Sequence, residues 1–209
     1  MRRHLLFIAV TGLLGVTGCA SLSESQCLAN DWETIGYRDG LSGTEGSSAL
    51  MRYMDACMKH GVSPDRNAYL AGWEDGVDQY CQPANGFNLG ERGAGFSNVC
   101  PARLQTAFQA AYQDGRRLYL AESEVREIAG AITARERRLD EIKSELAAIA
   151  GGMLDDESTA ADRAQMLLTA KDLGEEQGRL SAEIEELEAE MAVKTERLED
   201  LRQTLAFAG

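Results

Sequence analysis

Gly36-Tyr37-Arg38-Asp39-Gly40, GYRDG, is followed by GWEDG at Gly72 to Gly76 and by AYQDG at Ala111 to Gly115. Glycine stands at both ends of the first two pentads, and Ala111 replaces the leading glycine of the third. Residues four apart share one face of a helix. Each pentad therefore predicts a helix with a flat stripe that a second backbone can approach closely. Glycine inside a helix costs roughly 0.5–1 kcal/mol relative to alanine. Gly36, Gly40, Gly72, Gly76 and Gly115 thus need a compensating gain, and close helix packing supplies one. An aromatic residue follows the first small residue each time, Tyr37, Trp73 or Tyr112. Such rings fill the space beside a tight crossing. The fold these stripes predict is all-α.

Around the pentads, residues 21 to 100 hold four of the five cysteines, both tryptophans and most of the glycine. DWETIGYRDGLSG (31–43) reads as a short helix. SSALMRYMDACMKHG (47–61) places Leu50, Met54, Cys57 and Met58 on one helical face, with Ser47 or Ser48 as cap and Gly61 as stop. SPDRNAYLAGWEDGVDQYC (63–81) has Tyr69, Trp73, Val77 and Tyr80 at helical spacing. QPANGFNLGERGAGFSNVC (82–100), with Gly86, Gly90, Gly93 and Gly95, reads as a loop. The last helix of this region starts at Pro101 and carries Leu104, Phe108 and Tyr112.

Beyond residue 101 the chain is rich in Ala, Leu, Glu and Arg, all strong helix formers. Leu118, Ala121, Val125, Ile128, Ile132, Leu139, Ile142, Leu146 and Ile149 alternate by threes and fours, with Arg135 as a polar member. Gly151 and Gly152 can end that helix, and Ser158 or Thr159 can cap the next. A second run goes from Met166, Ala170 and Leu173 through Gln177, Leu180, Ile184, Leu187, Met191 and Lys194 to Leu198, Leu201 and Leu205. Heptads of this length argue coiled coil. A short link between two helices of about 75 Å each predicts an antiparallel hairpin. Pairing of the same stripes between chains is the alternative. The expected organisation is a signal peptide at 1–18, a lipid anchor and tether at 19–26, a cysteine-stapled helical domain at 27–116 and a coiled-coil hairpin at 117–209.

The anchor is read from MRRHLLFIAVTGLLGVTGCAS. Arg2 and Arg3 precede an apolar stretch from Leu5 to Val16, which suits a secretory signal and is too short to span a membrane. Val16-Thr17-Gly18-Cys19 resembles a bacterial lipobox, which implies cleavage before Cys19 and acylation of that residue. Ala20 follows, with no Asp, so the resemblance points to the outer membrane, facing the periplasm. Cys27, Cys57, Cys81 and Cys100 remain, an even four suited to two disulfides in an oxidising compartment. If the first two and the last two helices of the domain run antiparallel, the pairs are Cys27–Cys57 and Cys81–Cys100. Of the three pairings four cysteines allow, Cys27–Cys100 with Cys57–Cys81 is the main alternative.

The net charge is −13. Loss of Arg2 and Arg3 makes it about −15, which disfavours nucleic acid as a partner. Asp39, Asp75 and Asp114, if convergent, would suit a cation such as calcium. In the plainer reading each accepts hydrogen bonds from a neighbouring group, because hard-cation sites draw further ligands from a dedicated loop. No Ser/His/Asp or Cys/His set is evident, and His60 reads as a partner for a helix C-terminus. Neither an enzyme nor a bound metal or cofactor is expected.

The ordered set W-x3-GYRDG-x2-G, AC-x2-HG-x3-D, Y-x2-GW-x-DG, YC, G-x2-G-x-GF, CP and F-x3-Y-x-DG resembles the bacterial lipoprotein family of domain of unknown function 2799, over about residues 27–120. Trp73 departs from the family pattern. The resemblance implies an exported, cysteine-paired helical domain and no reaction, substrate or cofactor. The leading expectation is a non-enzymatic envelope lipoprotein, held to the membrane by its lipid, with the hairpin as docking surface for an envelope protein or a second copy. The alternative is a lipoprotein that binds a small ligand or cation through the glycine-rich loop and the Asp-Gly motifs.

Overall fold

The computed structural model describes residues 22–207, and these are helical with no strand among them. The signal, Cys19 and its lipidation lie outside the described residues. Seven α-helices follow one another: α1 Glu24–Ala29, α2 Trp32–Leu41, α3 Gly46–Cys57, α4 Arg66–Tyr80, α5 Pro83–Glu91, α6 Ala102–Met153 and α7 Ala160–Phe207. They form two compact units, residues 22–80 with 97–100, and 81–96 with 101–207. The boundary at 80/81 differs from the expected one at 116/117. The reason is that α5 packs on the start of α6, the same helix that continues into the hairpin.

Local chemistry sets the helix ends. Ser23 and Gln26 make a capping box at α1. Asp31 accepts from the Thr34 amide at the start of α2. The cap of α3 is Glu45 rather than Ser47 or Ser48. Its carboxylate accepts from the Ser47 and Ser48 amides at 3.1 and 2.8 Å. Hydrogen bonds from the serines, Ser48 first, hold the Glu45 carboxyl down at about 2. A 3₁₀ turn, Met58–His60, ends at Gly61 with φ 72°, the expected stop. Asp65 accepts from the amides of Asn67 and Ala68 at the head of α4.

In the first unit α2 lies on α4. Cys27, Trp32, Ala49, Leu50, Tyr53, Cys57 and Tyr69 form its core. Cys27 and Cys57 are joined by a disulfide with their Cα atoms 5.5 Å apart. Cys81 and Cys100 are disulfide-bonded as well. The inward face of α3 is Ala49, Leu50, Tyr53 and Cys57. Met54 and Met58, expected there, are exposed instead. The inward face is rotated by less than one residue's step of about 100°: the small Ala49 and the hydroxyl-bearing Tyr53 occupy the core side.

In the second unit α6 and α7 form the predicted antiparallel hairpin. Leu118, Ile128, Ile132 and Ile142 are buried from α6, and Leu173 and Leu198 from α7. Every member of the predicted α7 stripe from Met166 to Leu205 is buried or half-buried, and of the other residues between 160 and 205 all are exposed except Glu176. Arg135 pairs across the seam with Glu183 at 2.7 Å, and Lys194 with Glu124 at 2.6 Å. Arg138 adds a two-pronged contact to Glu176 at 2.8 and 3.0 Å. These pairs share one antiparallel register. Residues 154–159 connect the helices. There Thr159 and Asp162 cap each other's backbone amides, which makes Thr159 the cap of α7.

Candidate functional site

The small-residue stripes meet in pairs. A Cβ placed on Gly36 would lie 1.9 Å from the Tyr69 carbonyl oxygen, and one on Gly72 would lie 2.0 Å from that of Glu33. Gly40 faces the Trp73 carbonyl at 2.2 Å, and Gly76 that of Tyr37 at 2.2 Å. Advancing along α2 advances along α4, so the two helices run parallel, backbone against backbone. The contacts are to main chain, which cannot swing aside, and Cα–H to carbonyl contacts of this kind add modest attraction.

The second unit repeats this crossing with a partner the sequence reading missed. Residues 82–100 are not all loop: Pro83 begins α5, where its fixed φ and missing N–H suit the first turn. Gly86 and Gly90 form a fourth stripe. Their added Cβ atoms would meet the carbonyls of Phe108 at 2.5 Å and Tyr112 at 2.2 Å. Gly115 meets the Phe87 carbonyl at 2.1 Å. Ala111 is half-buried at the same crossing. The signal for α5 was present: GYRDGLSG (36–43) and GFNLGERG (86–93) share glycine at the first, fifth and eighth places and an aromatic ring at the second.

The correspondence extends to hydrogen bonds. Gly43 and Gly93 both take positive φ, 71° and 67°, after α2 and α5. Thr44 donates its amide to the Asp39 carbonyl at 2.9 Å, and Ala94 to that of Leu89 at 3.0 Å. The Trp73 indole donates to the Thr44 carbonyl at 2.8 Å, and the Tyr112 hydroxyl to the Ala94 carbonyl at 3.0 Å. Tyr80 covers Gly43, and Tyr119 covers Gly93. Gly46 leaves room for the Trp73 ring. At the matching place Phe96 packs edge-on against the smaller Tyr112, ring centres 4.6 Å apart. AYLAGWEDGVDQY (68–80) and AFQAAYQDGRRLY (107–119) carry the same pattern in sequence. The domain is an internal duplication.

The two halves differ in chemistry where Asp39 stands. Asp39 accepts from the Tyr69 hydroxyl at 2.7 Å and from the Tyr53 hydroxyl at 2.9 and 3.2 Å. The two rings stack edge-to-face, centres 5.9 Å apart. Burial first, then the hydrogen bond to Asp39, pushes the Tyr53 phenol up to about 12 and Tyr69 higher still. In the second half Leu89 replaces Asp39 and Phe108 replaces Tyr69. The cluster is thus a polar solution to a packing problem solved elsewhere with hydrocarbon.

Asp75 lines an open groove beside the first crossing with Asp31, Glu33, Thr34, Tyr37 and Gly72. Asp114 pairs with Arg117 at 2.7 Å. Among the described residues no group of three or more His, Cys, Asp or Glu side chains is placed to hold a metal ion. With Asp39 engaged by two tyrosines, the Asp-Gly motifs carry the plainer hydrogen-bonding and ion-pair reading at Asp39 and Asp114. His60, past the end of α3, faces Glu24 at 3.7 Å. The groove of the second crossing, lined by Pro83, Ala84, Phe87, Ala111 and Asp114, also takes Leu205 from the end of α7.

The family model for proteins of unknown function named DUF2799 matches residues 31–117. This segment is a DUF2799 domain. No curated protein and no solved structure matches the chain. The DUF2799 match opens at the cap of α2 and closes two residues past Gly115, so it takes in both crossings. Most of the α6 arm and all of α7 lie outside it.

Proposed function

We propose that this DUF2799 protein is a lipid-anchored protein of the bacterial envelope with a structural, non-enzymatic role, and that its α6–α7 hairpin is the docking arm. The anchor reading rests on the Arg2-Arg3 start, the short apolar run and the Gly18-Cys19 junction. The observation that carries the docking reading is at the end of the hairpin. Leu154, Leu167 and Leu168 are 84, 61 and 58 % exposed within about two turns of the loop. Along the rest of the arm only Leu120 and Val193 are exposed apolar residues of this size, at 47 and 46 % and apart from one another, and the remaining leucines turn into the seam. Exposed leucines grouped at one end suit a helical partner that lays its own apolar face there. No helix among the described residues is long and apolar enough to cross a membrane.

Metabolic palmitate labelling tests the anchor: label and membrane sedimentation are expected and should both be lost in Cys19→Ala. Crosslinked pulldown tests the arm. A discrete partner is expected with the natural chain and absent with Leu154→Ser, Leu167→Ser and Leu168→Ser combined. Unchanged capture by that folded variant would refute docking at the tip.

A further inference from the structure

Met51, Met54 and Met58 stand at i, i+3 and i+7 along α3 and the turn after it, 60, 41 and 65 % exposed. That spacing places them in one stripe. They stay outside the core, which takes the adjoining face of the helix through Ala49, Leu50, Tyr53 and Cys57. The disulfide lengthens the stripe. The Cα atoms of Cys27 and Cys57 are 5.5 Å apart, so Leu28 and Met58, the next residues of each segment, flank the bond. Leu28 is 60 % exposed. Glu24 lies 3.7 Å from His60, which brings the first turn of α1 to the same end of the stripe. Cys19 precedes Glu24 by five residues. Fully extended, that tether reaches roughly 18 Å.

We propose that Leu28, Met58, Met54 and Met51 form the face with which the first unit rests on the bilayer. The proposal takes the lipid anchor at Cys19 as its premise. A lipid surface is the occupant because so short a tether keeps this end of the unit within reach of the headgroups. Flexible, polarisable thioethers suit the irregular boundary between headgroups and acyl chains. Arg52 and Lys59 lie on one flank of the stripe and supply charge for anionic headgroups. Asp55 stands between the stripe and those cations, so the contact is shallow and the helix lies in the interface.

The test uses the full-length acylated protein, purified and reconstituted in vesicles of phosphatidylethanolamine and phosphatidylglycerol, under mild peroxide. Water-accessible methionine becomes sulfoxide, and mass spectrometry reads each position against a free methionine peptide. Met51, Met54 and Met58 should oxidise about tenfold more slowly than the peptide or slower. In the Leu28→Asp, Met51→Asp double variant, still sedimenting with vesicles, Met54 and Met58 should return to near the peptide's rate. Peptide-like rates in the natural protein on vesicles would overturn the docking face and leave the anchor standing. Protection in native membranes but not in vesicles would assign the stripe to a protein cover and also overturn it. Protein without palmitate on Cys19 that stays in solution would remove the anchor and the docking face together.

Discussion

At the scale of single residues, the duplication supplies its own controls. Asp39→Leu alone strands two buried tyrosine hydroxyls, each costing about 1–3 kcal/mol. Asp39→Leu with Tyr53→Phe and Tyr69→Phe installs the hydrocarbon solution of the second half, with Leu89 and Phe108. Chemical denaturation should show the single variant destabilised by about 2–4 kcal/mol and the triple variant recovering most of it. The tyrosines also give a pH dependence. The ordinary phenol value is 10, and Tyr53 sits at about 12 in the folded protein. A raised value favours the neutral phenol, so this stability is whole below pH 10 and is lost as pH climbs through 12. Absorbance near 295 nm should show delayed tyrosinate formation coupled to alkaline unfolding, and the triple variant should lose that coupling. The glycines divide just as sharply. Gly76→Ala pushes a methyl into the Tyr37 carbonyl and should cost about 2 kcal/mol or more. Gly174 and Gly178 have open space around them on α7. There alanine should stabilise by roughly 0.5–1 kcal/mol, read as a raised Tm.

At the scale of elements, the hairpin was legible because its apolar residues repeat for many turns. The positions read from that repeat, Ile128, Ile132, Ile142, Leu173 and Leu198 among them, are the buried ones. Ile142→Asp should lower the Tm of the hairpin sharply, because it places an unpaired charge in the seam. Polar insertion within residues 155–157 should leave helix content by circular dichroism unchanged, since added loop length costs little. One seam carboxylate adds an acid limit. The Arg138 guanidinium holds Glu176 below the usual carboxylate range. Its contribution is present above the ordinary Glu value and fades as pH falls through the lowered one. Helix α5 was not legible in the same way. Four glycines in nineteen residues outweighed its pattern, since glycine signals a loop unless the backbone it packs against is known. What makes it helical is tertiary: Gly86 and Gly90 fit against the carbonyls of Phe108 and Tyr112. The register of α3 failed for a related reason. Methionine counts as apolar in a pattern, yet Met54 and Met58 face outward while Ala49 and Tyr53 take the core.

At the scale of the whole chain, three pentads read from sequence became four stripes in two matching crossings, and the family match covers both. The three pentad stripes were legible from spacing alone, and the fourth, Gly86 and Gly90, was not. The polar cluster at Asp39 was not, because its tyrosines come from α3 and α4, fourteen and thirty residues away. The role argued for the chain joins a short lipid tether to an arm that ends in exposed leucines. A photo-crosslinking amino acid placed singly at Leu167, Leu168 or Val193 in living cells tests that role most directly. Capture of the same discrete envelope protein from positions 167 and 168, but not from mid-arm position 193, is the predicted result. No crosslink from 167 or 168, in a protein confirmed to be folded and membrane-bound, would contradict it.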